Sequence, residues 1–261
     1  MNCLSLRLTK RRLEILNILA EYRYLTTNQY KMILGIKNDS QRRALQEVLC
    51  RGWRAGLLNR GKVVDYEDFR GFTPYELVYW FTKFGCEQIG KGTFNEEKSP
   101  RTLEHEVAIS DCHMKLQTLC AENSLPFSWQ QKDLKKTVHP DALFSITYPE
   151  PEYDNSVFHY FLEIEKSKQG HYRDGESGLL KKLRRYYEYY HSEQCMEDWG
   201  FETFHVLVVV RNDIRASNLL QALSTKLPSK MFWVATQDAD LSKRVFLTPI
   251  DYAETAYAFV S

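Results

Sequence analysis

Residues 139–186 constrain the fold more than any other part of the chain. Within them, 157–166 is an apolar, strand-like run carrying Glu163 and Glu165, and 138–148 is a second such run carrying Asp141. Side chains alternate across a strand, so Glu163 and Glu165 share one face with Phe161, while Leu162 and Ile164 take the other. Two carboxylates on one face of a half-buried strand repel each other and lose hydration, which is unfavourable unless a positive charge sits with them. A divalent ion with oxygen ligands, Mg²⁺ or Mn²⁺, meets that need.

The surrounding pattern alternates helix and strand. A helix is expected over 102–123, with His105, Ile109, Cys112 and Leu116 on one face. On periodicity alone His105 reads as a core histidine. A strand near 127–130 and the two acidic strands follow, joined by a turn at 148–156 that holds Pro149, Pro151, Asp154 and Asn155. The helix over 176–192 puts Leu179, Leu183, Tyr186 and Tyr190 on one side, with Lys182 four residues before Tyr186. HVLVVV at 205–210 is the near-continuous apolar strand of a sheet covered on both faces. A helix at 218–227 and a strand at 231–236 complete an α/β sandwich with a central mixed sheet.

The N-terminal part has a different character. Residues 1–61 hold twelve Lys and Arg against four Asp and Glu, a local charge of +8 in a chain whose net charge is +1. A basic segment on a mildly acidic body points to a polyanionic partner. Thr9 caps a helix bearing Ile15, Leu16, Leu19 and Tyr22; LTTNQ at 25–29 opens a second with Tyr30, Ile33 and Leu34 inward; Asp39-Ser40 starts a third with Leu45, Val48, Leu49 and Trp53 inward. A polar stretch and a strand at 77–81 follow. Three helices, then strand, turn and strand, describe a winged helix-turn-helix with a wing at 59–76. Arg42, Arg43, Arg51 and Arg54 on the third helix are the candidate contacts to double-stranded DNA. Such modules also dimerise or bind protein. The polar, aperiodic 91–101 stretch is the expected linker, dividing a DNA-binding domain over 1–91 from a second domain over 102–261.

No apolar run reaches membrane-spanning length, and the first residues lack a basic segment followed by an apolar one, so neither membrane nor secretory targeting is expected. The six cysteines form no CxxC pair, which suits reduced thiols in a cytoplasmic protein. Neither a phosphate-binding Walker loop nor GxGxxG is present, and no His-x-His cluster accompanies the tyrosines. Tyr186, Tyr187, Tyr189 and Tyr190 read most simply as helix packing.

Helix, strand with Pro140-Asp141-Ala142, strand with Leu162-Glu163-Ile164-Glu165, then helix with Lys182-Leu183-x-x-Tyr186 resembles the PD-(D/E)XK nuclease superfamily. With LTTNQ at 25–29, the Tyr79…Thr82…Gly85 run, Leu103-x-His105 and Val209-Val210-Arg211, residues 8–236 resemble more specifically the replication-relaxation family of plasmid and integrative-element proteins, which includes MobC-type relaxases. The resemblance implies a winged helix followed by a nuclease-like domain, with Asp141 and Glu163 as acidic ligands of Mg²⁺ or Mn²⁺. It adds His105 as a candidate further ligand, by analogy with RecB-like members. Lys182 and Tyr186 match the helical motif that orients the phosphate or supports the site. The departure is Glu165, which stands where the superfamily usually has lysine. Lys166 points to the opposite face, so Lys181 or Lys182 on the following helix is the candidate source of that charge. Glu165 is then a further ligand or a general base.

Two functions remain open on the sequence. One is a relaxase-like, metal-dependent endonuclease that nicks DNA at a plasmid or integrative-element origin. The other is a non-catalytic winged-helix regulator or accessory protein with a degenerate nuclease fold. The resemblance also implies protein partners of a relaxosome-like complex and leaves a homodimer open.

Overall fold

The structure is a computed structural model. It describes residues 9–64, 75–91, 99–131, 134, 136–150, 153–166, 178–227 and 229–237. The chain divides into two compact units, Met1–Met114 and Lys115–Ser261.

In the first unit, α1 (Lys10–Tyr22) starts where the Thr9 side chain accepts from the Arg12 amide. After β1 (Leu25–Thr26), α2 (Thr27–Ile33) opens with a reciprocal cap: the Thr26 hydroxyl accepts from the Gln29 amide, and the Gln29 side chain accepts from the Thr26 amide. Helix α3 (Asp39–Arg54) is capped by Asn38, one residue before the expected start. Strands β2 (Leu58–Val64) and β3 (Tyr75–Phe81) pair antiparallel, and β1 adds to the far side of β3, giving the order β1-β3-β2. Most of the expected 59–76 turn region, residues 65–74, lies outside the described residues. Leu16, Leu19, Leu45, Leu49, Tyr79 and Phe81 form the core.

Trp53 departs from expectation. It is 37% exposed, and Gly52 takes the inward position. The Gly52 position is tight: a Cβ there would meet Leu58 Cδ1 at 3.0 Å, so a larger residue would require the Leu58 side chain to shift. Trp53 instead faces outward, with the Arg60 guanidinium 3.4 Å from its ring centroid. Gly85 is tighter still. It lies in α4 (Lys83–Ile89), and a Cβ there would run into the Leu57 carbonyl. Thr82 caps α4 by accepting from the Gly85 amide at 2.9 Å and donates to the Gly56 carbonyl at 2.6 Å.

The first unit also claims the start of α5 (Pro100–Glu122). The Ser110 hydroxyl donates to the Tyr24 carbonyl at 2.7 Å, and Gln29 Nε2 donates to Asp111 Oδ1 at 2.6 Å and to the Val107 carbonyl at 3.1 Å. The division therefore falls inside this helix, beyond the boundary at 102 read from the sequence. Residues 92–98 of the expected linker lie outside the described residues.

The second unit is a mixed α/β arrangement around a five-stranded sheet, β4-β5-β6-β7-β8. Strands β4 (Phe127–Gln130), β5 (Ala142–Glu150) and β6 (Tyr153–Glu165) run antiparallel, whereas β7 (His205–Val210) and β8 (Phe232–Thr236) continue parallel to β6. Between β6 and β7 lie α6 (Gly178–Tyr190) and a short α7 (Gln194–Trp199) that the sequence pattern did not predict; α8 (Asp213–Lys226) joins β7 to β8. Leu180, Leu183, Tyr186 and Tyr189 are the buried stripe of α6, and they pack with Phe161, Val206, Val208 and Leu219. Leu179 and Tyr190 flank that stripe and are only partly buried. Among the described residues no helix is long and apolar enough to cross a membrane.

Candidate functional site

The antiparallel register of β5 and β6 pairs Ala142 with Leu162. One step further along that register, Asp141 lies opposite Glu163. Asp141 precedes the strand proper and is fixed from both ends: its amide donates to the Leu162 carbonyl at 2.9 Å, and its Oδ2 accepts from the Ile164 amide at 2.7 Å. The segment leading to it is anchored by Asp198 Oδ2, which accepts from the Tyr189 hydroxyl at 2.8 Å and from the Thr137 amide at 3.4 Å.

Glu163 is 3% exposed. Helix α6 delivers two side chains to it, four residues apart on one helical face. Tyr186 donates its hydroxyl to Oε1 and Lys182 its ammonium to Oε2, each at 2.5 Å. Burial pushes the Glu163 carboxyl up to about 7, and the neighbouring Asp141 charge pushes in the same direction; Lys182 and Tyr186 only partly oppose them. Burial and the Glu163 charge likewise hold the Tyr186 phenol well above its ordinary range.

Glu165 Oε1 lies 4.0 Å from Arg215 Nη1 of α8. His105 is half-buried in the part of α5 that belongs to the first unit. Among the described residues no three His, Cys, Asp or Glu side chains gather as a metal-ion cluster. A smaller donor set is present. Asp141 and Glu163 are hard oxygen donors, and Mg²⁺ is commonly held by one or two carboxylates, with water and substrate phosphate filling the remaining positions. The pair fits such an ion if the Lys182 ammonium yields Oε2. The sequence reading gave Arg215 no part in the site. Its signal was weak, a lone arginine one turn into a helix after an apolar strand.

On α3 the four candidate arginines divide. Arg42 lies 3.1 Å from Asp39, and Arg51 pairs with Glu47. Arg43 and Arg54 are exposed and, among the described residues, have no carboxylate partner.

The sequence profile described as replication-relaxation matches residues 16–203. No curated protein matches the chain. Among solved structures, the restriction endonuclease FokI matches with 14% identity and a TM-score of 0.32, over 96% of this chain and 48% of that one. The same endonuclease bound to DNA matches with 13% identity and a TM-score of 0.32, over 94% of this chain and 47% of that one. The chain thus spans about half the length of either.

Proposed function

The chain belongs to the replication-relaxation family, and from that premise we propose that it is a DNA-processing protein whose second unit cleaves phosphodiesters. The observation that carries this reading is the meeting of Asp141, Glu163 and Lys182. Glu163 on β6 receives the Lys182 ammonium from α6 beside the Asp141 carboxylate, and that ammonium supplies the positive charge that the nuclease-like pattern lacks at Glu165. In this reading the second unit is a PD-(D/E)XK-like site. Asp141 and Glu163 would hold Mg²⁺ or Mn²⁺, which would lower the pKa of an attacking water and offset charge on the phosphate. Lys182 and Tyr186 orient Glu163, and Lys182 is placed to turn to the phosphate when a cation takes its position. Glu165, facing Arg215, stands as a supporting residue rather than a ligand.

The first unit serves as the DNA-binding module. Three helices followed by an antiparallel pair, in sheet order β1-β3-β2, support a winged helix with α3 as the groove reader. Double-stranded DNA at a plasmid or integrative-element origin is the substrate this combination favours, in the manner of a relaxase-like nicking enzyme.

A second reading rests on the partners that Glu163 already has within the fold. Both its oxygens already accept hydrogen bonds, and among the described residues no third ligand is gathered. A regulator that keeps the fold as a scaffold would show this arrangement permanently. One assay separates the two readings: supercoiled plasmid carrying the element's own origin, incubated with Mg²⁺ or Mn²⁺. The nuclease reading expects open circles from the parent protein and a metal-induced rise in its melting temperature. Intact plasmid together with an unmoved melting temperature selects the regulator.

A further inference from the structure

Helix α6 carries the run KKLRR at 181–185. Lys182 is committed to Glu163. Lys181 and Arg185 are exposed and four residues apart on one face, a spacing at which like charges destabilise a helix. Among the described residues neither has a carboxylate partner to relieve that repulsion. Both line a cavity of about 360 Å³ that is walled on its other side by Thr137 and His139, just upstream of Asp141, with Lys182 and Tyr186 towards Glu163. No Asp or Glu among the described residues lines it.

We propose that this cavity is a phosphate site for a DNA strand, taking a backbone phosphate next to the phosphodiester presented to Asp141 and Glu163. The placement of the neighbouring phosphodiester rests on the nuclease reading; the phosphate site does not. The Arg185 guanidinium offers a planar fork of donors suited to two phosphate oxygens, Lys181 adds a compact charge, and Thr137 and His139 add hydrogen-bonding groups. The volume lies at the low end of small-ligand pockets, large enough for a phosphate with its sugar rather than a bare ion. The adjoining carboxylates repel a small anion free to drift towards them. A strand held at several phosphates keeps one against the cations despite that repulsion.

The test is DNA binding by the full chain in EDTA, where cleavage cannot intervene, with 5′-hydroxyl and 5′-phosphorylated oligonucleotides across a salt titration. The double variants Lys181→Ala/Arg185→Ala and Lys181→Glu/Arg185→Glu change only exposed side chains, and an unchanged melting temperature confirms their fold. The alanine pair should lower affinity roughly tenfold and reduce the log–log salt slope by about one unit, equally for both oligonucleotides, and the glutamate pair should lower it further. Unchanged affinity and slope overturn the site. Loss confined to 5′-phosphorylated DNA, with inorganic phosphate competing, overturns the backbone assignment in favour of a terminal phosphate. Binding that depends on Lys181 and Arg185 in a protein that never nicks its origin removes the nuclease reading alone. Nicking and binding at parental levels in both variants remove the phosphate site alone.

Discussion

Helices α3 and α6 are both rich in basic residues, yet they hold their charge in different ways. On α3, Arg42 and Arg51 are matched by Asp39 and Glu47 of the same helix, one turn away and exposed to water. Such pairs contribute at most about 1 kcal/mol, and a phosphate exchanges with them readily. On α6, Lys182 reaches a carboxylate from another element, and that carboxylate is buried. The partner has lost its water, so Lys182 leaves it only when another cation takes its place. A count of basic residues along a sequence does not distinguish these cases. What distinguishes them is where each counter-charge comes from and whether it is dry.

The sharpest way to break this contrast is Glu163→Gln. Nicking of origin-bearing plasmid should fall at least about a hundredfold, as expected for loss of a group that holds an ion or moves a proton, while DNA binding through α3 persists. Comparable nicking by parent and variant would mean that α6 and its partner are structural only.

The next effect is on stability against pH. The Glu163 carboxyl sits at about 7 in the fold against an ordinary 4.5, so the folded state binds this proton more tightly than the unfolded chain does. Its contribution to stability is therefore complete below about pH 4.5 and disappears as pH rises through 7. The loss by pH 8 should be on the order of 3 kcal/mol relative to the acid plateau. Denaturant unfolding of the parent and of Glu163→Gln at pH 5 and pH 8 checks this: the parent should lose stability relative to the variant over that interval. A gap between the two that stays flat with pH would show that burial does not govern this carboxylate.

On α3 the expected contrast lies within the helix. Arg43→Ala with Arg54→Ala should lower duplex affinity more than tenfold and the salt slope by about two units. Arg42→Ala with Arg51→Ala should do less, because their neighbouring carboxylates already offset part of the attraction. Equal losses from the two pairs, measured by fluorescence anisotropy, would dissolve the distinction.

The smallest effect compares two buried phenols. Tyr186→Phe removes a hydrogen bond to Glu163 and should cost about 1–2 kcal/mol. Among the described residues the Tyr24 hydroxyl has no hydrogen-bond partner, so Tyr24→Phe should be neutral or slightly stabilising. Thermal or denaturant melts of the two variants decide this.

Much of this molecule was legible in its sequence. The Thr26–Gln29 cap, the alternation along 157–165 and the apolar run of β7 depend on neighbours a few residues apart, and local chemistry determines them. The shared face of Glu163 and Glu165, and the i, i+4 relation of Lys182 to Tyr186, follow from strand and helix periods in the same way. Tertiary structure decided what those faces meet. It set the β5–β6 register that lays Asp141 opposite Glu163, and it brought Lys182 rather than Lys181 to the buried carboxylate. It put Gly52 rather than Trp53 on the buried face of α3, against Leu58 of β2, and it joined the start of α5 to the first unit through Ser110 and Gln29. It also brought Arg215 of α8 to within 4.0 Å of Glu165. In each case the partner lies on another element, and its arrival depends on how whole elements pack, which no local period encodes.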